Sequence, residues 1–231
     1  MIGRARAALI ASGLAVALLV PSAPAGAALP LSASLSVLHV ADGVEAAQVV
    51  DVYAGSMRIM DDLRPGELRA VRITRGQYTV RIFSDGQDPQ STQPLATIEG
   101  LRLADQANVT VAVHRGADGS VTATDFTNNT LRNPPAQGRV TIRHVALAPA
   151  LDVQLGNART VRSLTNYDAI TIRGLRGDQL TEVLQSDTAA VLLTQRRIPI
   201  ARPVNTVVYI WGSAPDGLRM ALQSIPVGAA R

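Results

Sequence analysis

The feature that most constrains the fold of this chain is an internal repeat. Residues 35–54 (LSVLHVADGVEAAQVVDVYA) form two short apolar runs joined by a turn of small residues, and a shorter copy (RVTIRHVALAPALDVQLG) returns at residues 139–156. Marker residues stand at matching places in the two copies: His39 and Asp51 in the first, His144 and Asp152 in the second. Self-similarity of this kind indicates two structural units of the same type.

The apolar runs have the period and the composition of β-strands. Residues 77–83 (QYTVRIF) alternate between two faces, which is typical of a half-buried strand. Val, Ile and Thr recur in such runs, and their branched side chains fit a pleated sheet. Aromatic residues make up only 3% of the chain, so aliphatic side chains must build the core. About seven short strands in each half predict an all-β protein of two tandem immunoglobulin-like antiparallel β-sandwiches.

Domain boundaries follow from the repeat and from one proline-containing stretch. Residues 131–138 (LRNPPAQG) are mostly polar and contain two prolines, which lack the amide donor that a central strand needs. The sequence therefore predicts a first sandwich over residues 34–130, a linker over 131–138 and a second sandwich over 139–231.

The N-terminal residues have the pattern of a secretory signal. Arg4 and Arg6 precede an apolar run at residues 9–20, Pro21 ends that run, and small residues follow it. We expect residues 1–27 to be a signal peptide that is removed on export, which predicts a secreted or cell-wall-associated protein. The alternative is a retained membrane anchor, but the run is shorter than the roughly 20 apolar residues of a spanning helix.

Charge and cysteine content argue against several classes of function. All 22 basic residues are arginines, and beyond Arg4 and Arg6 most of them are scattered along the predicted strands. The net charge is only +4, whereas a nucleic-acid-binding domain usually presents a clustered basic face. The chain has no cysteine, which excludes disulfides, thiolate metal ligands and a cysteine nucleophile. Neither a Gly-x-Ser-x-Gly motif nor a phosphate-binding glycine loop occurs. We therefore predict no nucleic-acid partner, no cofactor and no enzymatic activity.

The repeat resembles a bacterial family of domains of unknown function, numbered 4397, whose members characteristically open with V-R-V-V-H-A-S-P-D-A-P-A-V-D-V-Y. The matching residues are SVLHVADG at 36–43, VDVY at 50–53 and RGQYTV at 75–80 in the first copy, and IRHVA at 142–146 and PALDV at 149–153 in the second. The H-A-S-P-D-A-P centre is altered in both copies, which is typical of a divergent member in tandem. The resemblance implies a secreted or surface β-sandwich and no assigned reaction.

The repeated polar residues are the candidate site. His39 and His144 each end a first strand, and Asp51 and Asp152 each lie in a second strand. A histidine beside a carboxylate can form a hydrogen-bonded pair, half of a metal site or an acid–base pair. The favoured interpretation is structural, in which these side chains fix the corner between two strands by bonding backbone groups. A metal site would need further ligands, and His114 is predicted at the opposite end of the sheet, so we predict no metal.

One late strand indicates where a partner would bind. Residues 204–211 (VNTVVYIW) are apolar on both faces, with Tyr209 and Trp211 on one of them. Only one face of a strand in a two-layer sandwich meets its own core. The other face must be covered by the first domain, a partner or an apolar ligand, which makes Tyr209 and Trp211 the candidate interaction surface.

The preferred function is that of a secreted or cell-envelope structural or interaction protein, with an envelope protein or glycan as its partner and no span of the membrane in the mature chain. The alternative is a binding module for a cell-wall glycan or small ligand, in the cleft between the domains or on the second domain. The low aromatic content counts against a typical sugar-binding platform. A groove between the domains that exposes arginines and Trp211 would favour the alternative.

Overall fold

The computed structural model describes residues 31–156, 159–201 and 203–228, so the predicted signal peptide at 1–27 lies outside the described residues. Eight strands belong to the first half: β1 (Ser32–His39), β2 (Val50–Ala54), β3 (Met57–Leu63), β4 (Leu68–Thr74), β5 (Gly76–Ser84), β6 (Ala96–Leu103), β7 (Asn108–Arg115) and β8 (Val121–Thr127). Eight belong to the second: β9 (Gly138–His144), β10 (Leu151–Leu155), β11 (Arg159–Leu164), β12 (Ala169–Leu175), β13 (Gln179–Gln185), β14 (Val191–Ile198), β15 (Val204–Ser213) and β16 (Gly217–Pro226). A 3-10 helix (Glu45–Ala47) lies between β1 and β2.

The strands form four sheets of four strands, two sheets in each half. The strand orders are β4-β1-β7-β8 and β3-β2-β5-β6 in the first half, and β12-β9-β15-β16 and β11-β10-β13-β14 in the second. The two halves have the same order of corresponding strands, so the repeat in sequence is also a repeat in topology. The prediction of an all-β chain with two β-sandwiches is confirmed.

The pairing within each sandwich differs in one respect from the antiparallel sheets that the sequence predicted. β1 pairs with β7 in parallel, and β9 pairs with β15 in parallel, whereas the other strand pairs are antiparallel. Each half also has eight strands rather than seven. The sequence did not predict β11 and β14, which are edge strands with only two buried residues each.

Three apolar cores hold the molecule together. One fills the first sandwich and one fills the second. A third lies between sheets β4-β1-β7-β8 and β12-β9-β15-β16, which we call the inner sheets, and includes Leu38, Phe126, Tyr209 and Trp211. Because the inner sheets have a core on each face, β7, β9 and β15 are buried along nearly their whole length.

The inner sheets pack through equivalent faces. The ring of Phe126 on β8 lies edge-on to Tyr209 on β15, and Gln223 on β16 bonds Ser36 on β1 and Thr110 on β7. β8 therefore lies over the second sandwich as its counterpart β16 lies over the first. This is the arrangement of two copies in a symmetric dimer, here within one chain.

The segment between the sandwiches is held against the second one. The guanidinium of Arg139 donates to the carbonyl oxygens of Asn129 (3.0 Å) and Leu131 (2.7 Å), and the amide of Gly228 donates to the carbonyl of Thr130 (3.0 Å). The described residues form one compact unit. Within the described part of the chain, no helix is both long enough and apolar enough to cross a membrane.

Candidate functional site

His39 lies at the corner that follows β1 and is fully buried. Its Nδ1 accepts the amide N–H of Ala41 (3.3 Å), and its Nε2 lies 2.7 Å from the carbonyl oxygen of Ala47. Since Nδ1 accepts, the proton is on Nε2, which donates to that carbonyl. The ring thus closes the turn between β1 and β2 through two backbone groups.

His144 makes the same contacts at the corner that follows β9. Its Nδ1 accepts the amide of Ala146 (3.2 Å), and its Nε2 lies 3.0 Å from the carbonyl oxygen of Pro149. Burial lowers the pKa of His39 and of His144 below the ordinary value, so both rings are neutral at pH 7. A ring whose two nitrogens bond the backbone has neither a lone pair for a metal nor a proton to exchange. This geometry supports the structural interpretation.

His114 lies at the same end of the inner sheet as His39, because β7 runs parallel to β1. The prediction that His114 lies at the opposite end of the sheet is wrong. It would hold only if β1 and β7 were antiparallel. Its Nδ1 lies 3.0 Å from the carbonyl oxygen of Arg115 and its Nε2 lies 2.9 Å from the hydroxyl of Thr124. Its ring also contacts Tyr167 of the second sandwich, with centroids 5.0 Å apart. Burial lowers the pKa of His114 as well.

Asp51 is buried on β2 and fixes a bulge in the neighbouring strand. Its carboxylate accepts the amide N–H of Asp62 (3.2 Å) and a guanidinium N–H of Arg58 (3.4 Å). Asp62 has a φ of +51°, and the register between β2 and β3 shifts beside it. A non-glycine residue in this left-handed region needs outside support, which the carboxylate provides.

Asp152 does the same on β10. It accepts the amide of Ser163 (2.9 Å), whose φ is +52°, and the hydroxyl of Ser186 (2.6 Å). These bonds lower the pKa of Asp152, the Ser186 hydroxyl most of all. Among the described residues neither repeated aspartate bonds its repeated histidine, so the proposed His–Asp pair does not form. Each residue instead secures its own stretch of backbone.

Three carboxylates converge beside the first of these bulges. Asp51, Asp62 and Asp85 each place an oxygen within 4.8 Å of the others, and carboxylate oxygens are the ligands that hard cations prefer. Loss of hydration and the neighbouring charge of Asp62 raise the pKa of Asp85. In the second sandwich the corresponding positions are Ser163 and Ser186. Asp62 and Asp85 were not among the site residues predicted from the sequence, because only the β2–β3 and β2–β5 pairings bring them beside Asp51.

Tyr209 and Trp211 lie on the face of β15 that packs against the first sandwich. Their exposed fractions are 0% and 6%. The guanidinium of Arg219 stacks over the Trp211 ring at 4.9 Å and pairs with Asp42 of the first sandwich. In this structure the first sandwich covers the predicted interaction surface, so it is not open to an external partner.

A closed ring of hydrogen bonds crosses the centre of this interface. Arg143 donates to the Tyr209 hydroxyl (2.5 Å), Tyr209 to Gln223 Oε1 (2.7 Å), Thr110 to the same oxygen (3.0 Å), Asn128 to the Thr110 hydroxyl (2.8 Å) and Arg143 to Asn128 Oδ1 (2.8 Å). We call these five residues the interface ring. It joins two residues of the first sandwich to three of the second and thereby sets their relative orientation.

The cation of the interface ring has no carboxylate partner among the described residues. Arg143 is 2% exposed, and its guanidinium stacks on Phe126 at 4.5 Å and on Tyr209 at 5.2 Å. Burial lowers the pKa of Arg143 and raises that of Tyr209. A desolvated charge is costly unless hydrogen bonds and aromatic faces compensate for it, and here the Tyr209 hydroxyl, the Asn128 amide oxygen and the two rings do so.

A groove of about 850 Å³ opens between the sandwiches at the end opposite the histidine corners. Its lining includes Ser34, Arg72 and Asn108 of the first sandwich, Thr130 and Arg132 of the connecting segment and Pro226 of the second sandwich. A cleft between the domains was predicted as a possible binding site, but its lining residues could not be predicted because they come from distant segments of the chain.

Comparison with known proteins places the chain in a family. The sequence profile described as "Domain of unknown function (DUF4397)" matches residues 33–154, more than half of the chain. The chain belongs to the DUF4397 family. The resemblance predicted from the repeat is therefore confirmed. No curated protein matches this DUF4397 chain.

A solved structure, "The Bacillus anthracis TIE protein", is also similar to this DUF4397 chain. The two are 9% identical, with a TM-score of 0.25, and the match covers 79% of this chain and 34% of that one. This chain thus corresponds to about a third of that protein's length.

The DUF4397 match contains all four repeated polar residues. It spans the first sandwich, the connecting segment and the first two strands of the second sandwich, and ends within β10. His39, Asp51, His144 and Asp152 therefore belong to the part of the chain that matches the DUF4397 profile. In this structure their contacts are to backbone, hydroxyl and guanidinium groups of the chain itself.

Proposed function

We propose that this protein is a secreted or cell-wall-associated structural or interaction protein that acts as one rigid body and catalyses no reaction. The observation that carries the proposal is the interface ring, set within the third apolar core. A chain with two sandwiches on a flexible tether would not bury Arg143 between them. A fixed pair of sandwiches presents its outer surfaces at constant spacing, as an envelope spacer or interaction module requires.

The contacts of the polar residues support the non-enzymatic part of the proposal. His39, His144 and His114 bond to groups of the chain through both ring nitrogens, and burial keeps the rings neutral. Asp51 and Asp152 are engaged in supporting bulges. General acid–base catalysis needs a group that can reach a substrate proton, and these groups are committed elsewhere.

Export and envelope association are tested together in a bacterial host. The full chain is expressed with its own N-terminus, and the culture is separated into cytosol, membrane, cell wall and medium. The expected result is a chain that begins near Ala28, by intact mass, in the wall or medium fraction. A chain that retains Met1 in the membrane or cytosolic fraction would contradict the proposed location.

The groove between the sandwiches favours a second candidate function. It exposes two arginines beside hydroxyl and amide side chains, as a ligand-binding module in the interdomain cleft would. Trp211 is not part of this groove, since it lies buried at the other end of the interface.

A further inference from the structure

The groove at the open end of the interface carries positive charge on two walls. Arg72 lies on β4 of the first sandwich, and Arg132 lies in the segment that connects the sandwiches. Within the described ranges, neither arginine forms an ion pair with an acidic side chain. Asp105, which precedes the lining residues 106–108, accepts the amide of Ser32 (3.1 Å). The groove is therefore complementary to an anion.

Both arginines lie close to other residues of the chain. Arg72 donates one N–H to the hydroxyl of Ser32 (3.1 Å), which leaves further donors of its guanidinium for a ligand. Arg132 lies across Gly228, where an added Cβ would come within 3.1 Å of its Nε. Gly228 has a φ of +73°, so glycine is favoured there for its backbone as well as for this close approach.

Hydroxyl and amide groups accompany the two cations. Ser34, Gln106, Asn108 and Thr130 contribute them, and no aromatic ring belongs to the lining described. A smaller groove of about 320 Å³ shares Ser34 and Asn108 and continues between β4 and β16. An elongated site with separated cations suits an extended ligand that repeats both carboxylates and hydroxyls.

We infer that this groove binds a carboxylate-bearing oligosaccharide. Arg72 and Arg132 pair with its carboxylates, because a guanidinium matches the planar carboxylate with two parallel hydrogen bonds. The amide and hydroxyl side chains bond its hydroxyl groups. A neutral sugar that relies on stacking has no aromatic platform here. The inference rests on the proposed rigid pairing of the sandwiches, since both walls of the groove must stay in place.

The test uses the mature chain and isothermal titration calorimetry with an oligogalacturonate of about six units, at about 50 mM salt so that screening is weak. The same oligomer with methyl-esterified carboxylates is the neutral control, and a glutamate peptide of equal charge is the peptide control. Arg72→Gln combined with Arg132→Gln should weaken binding by about tenfold or more, as expected for loss of charged hydrogen bonds.

The matched control variant is Arg176→Gln combined with Arg196→Gln, which removes the same charge from exposed positions of the second sandwich. We expect it to bind within about twofold of the wild type, apart from weak long-range attraction. Failure of the wild type to bind, equal binding of the esterified oligomer, tighter binding of the glutamate peptide or an equal loss in the control variant would each overturn the inference. Scattering of the same samples shows whether the sandwiches remain paired, so failure of the groove alone is distinguished from failure of the rigid body.

Discussion

At the residue scale, the three histidines and two repeated aspartates stabilise backbone that would otherwise be strained or unpaired. Each histidine accepts one hydrogen bond and donates another, and each repeated aspartate supports a bulge residue with positive φ. Buried donors and acceptors that lose a partner typically destabilise a fold by about 1–3 kcal/mol. A role in stabilising the fold is therefore enough to explain why these polar residues recur in both halves.

Replacing either corner histidine should lower the free energy of unfolding. His39→Ala and His144→Ala each leave a backbone amide and a backbone carbonyl without a hydrogen-bond partner. We expect the unfolding free energy to fall by about 1–3 kcal/mol, measured by urea denaturation at pH 7.5. His39→Gln keeps a donor near the Nε2 position and should lose less. Unchanged stability in both alanine variants would show that the corners do not depend on these rings.

The same rings predict a pH dependence. Burial lowers the folded pKa of His39, His114 and His144 below the ordinary value of 6.5. The unfolded chain then binds more protons than the folded chain, so stability is fully present above about pH 6.5 and falls as the pH drops below it. Urea denaturation from about pH 7.5 to 5.5 should show this decline, reduced in His39→Gln. An unfolding free energy that does not change over this pH range would mean that the histidine rings take up protons as readily in the folded chain as in the unfolded one.

The carboxylate cluster predicts a stabilising substitution. Asp85→Ser gives the first sandwich the residue that the second sandwich has at the equivalent position, Ser186. The new hydroxyl can donate to Asp51 as the Ser186 hydroxyl donates to Asp152. Since the raised pKa of Asp85 reflects an unfavourable charge, wild-type stability falls as the pH rises through its titration. In chelator-treated protein at pH 7, Asp85→Ser should melt at a higher temperature than the wild type. The exposed Asp125→Ser is the control, and a lower melting temperature specific to Asp85→Ser would contradict the argument.

At the element scale, the inner strands could be predicted from the sequence and two outer strands could not. β15 is apolar on both faces and was predicted to need a second cover, because each of its faces meets a core. β11 (RTVRSL) and β14 (VLLTQRRI) lie at sheet edges, and their apolar and polar residues do not alternate regularly, so they carry little periodic signal. The parallel pairing of β1 with β7 was not predicted, because the alternation of apolar and polar residues along a strand is the same whether its neighbour runs parallel or antiparallel.

The interface ring was also beyond prediction from sequence. Its members come from β7, β9, β15, β16 and the residue after β8, and only the register of sheets and the packing of sandwiches bring them together. Single polar residues among apolar ones, such as Thr110 and Gln223, were the only local signal. Such residues are equally common on solvated faces.

Removing one hydroxyl from the interface ring should weaken the pairing of the inner sheets. Tyr209→Phe leaves Arg143 without its shortest bond and Gln223 with one donor fewer. We expect a loss of about 1–3 kcal/mol in unfolding free energy, the usual result for a buried group left unpaired. Tyr78→Phe removes an exposed hydroxyl bonded to Thr74 and should cost much less. Equal effects of the two variants, by urea denaturation, would argue against a special role for the ring.

At the scale of the whole molecule, the two sandwiches form one body in the manner of a fused symmetric dimer. Equivalent faces meet, a third core fills the space between them, and the connecting segment is bonded to the second sandwich. Exposed residues of the connecting segment remain the place where we expect a protease to cut first. We expect that the two halves stay together after such a cut.

The most direct test of this central claim is the size of the cleaved protein. A protease recognition sequence is inserted between Pro135 and Ala136, the chain is cut to completion, and the product is measured by size-exclusion chromatography with light scattering. We expect one species with the mass and radius of the uncut protein. The cut form of the double variant Tyr209→Phe, Phe126→Ala should dissociate at a lower denaturant concentration than the cut wild type. Separation of the wild-type halves into two species without denaturant would contradict the account.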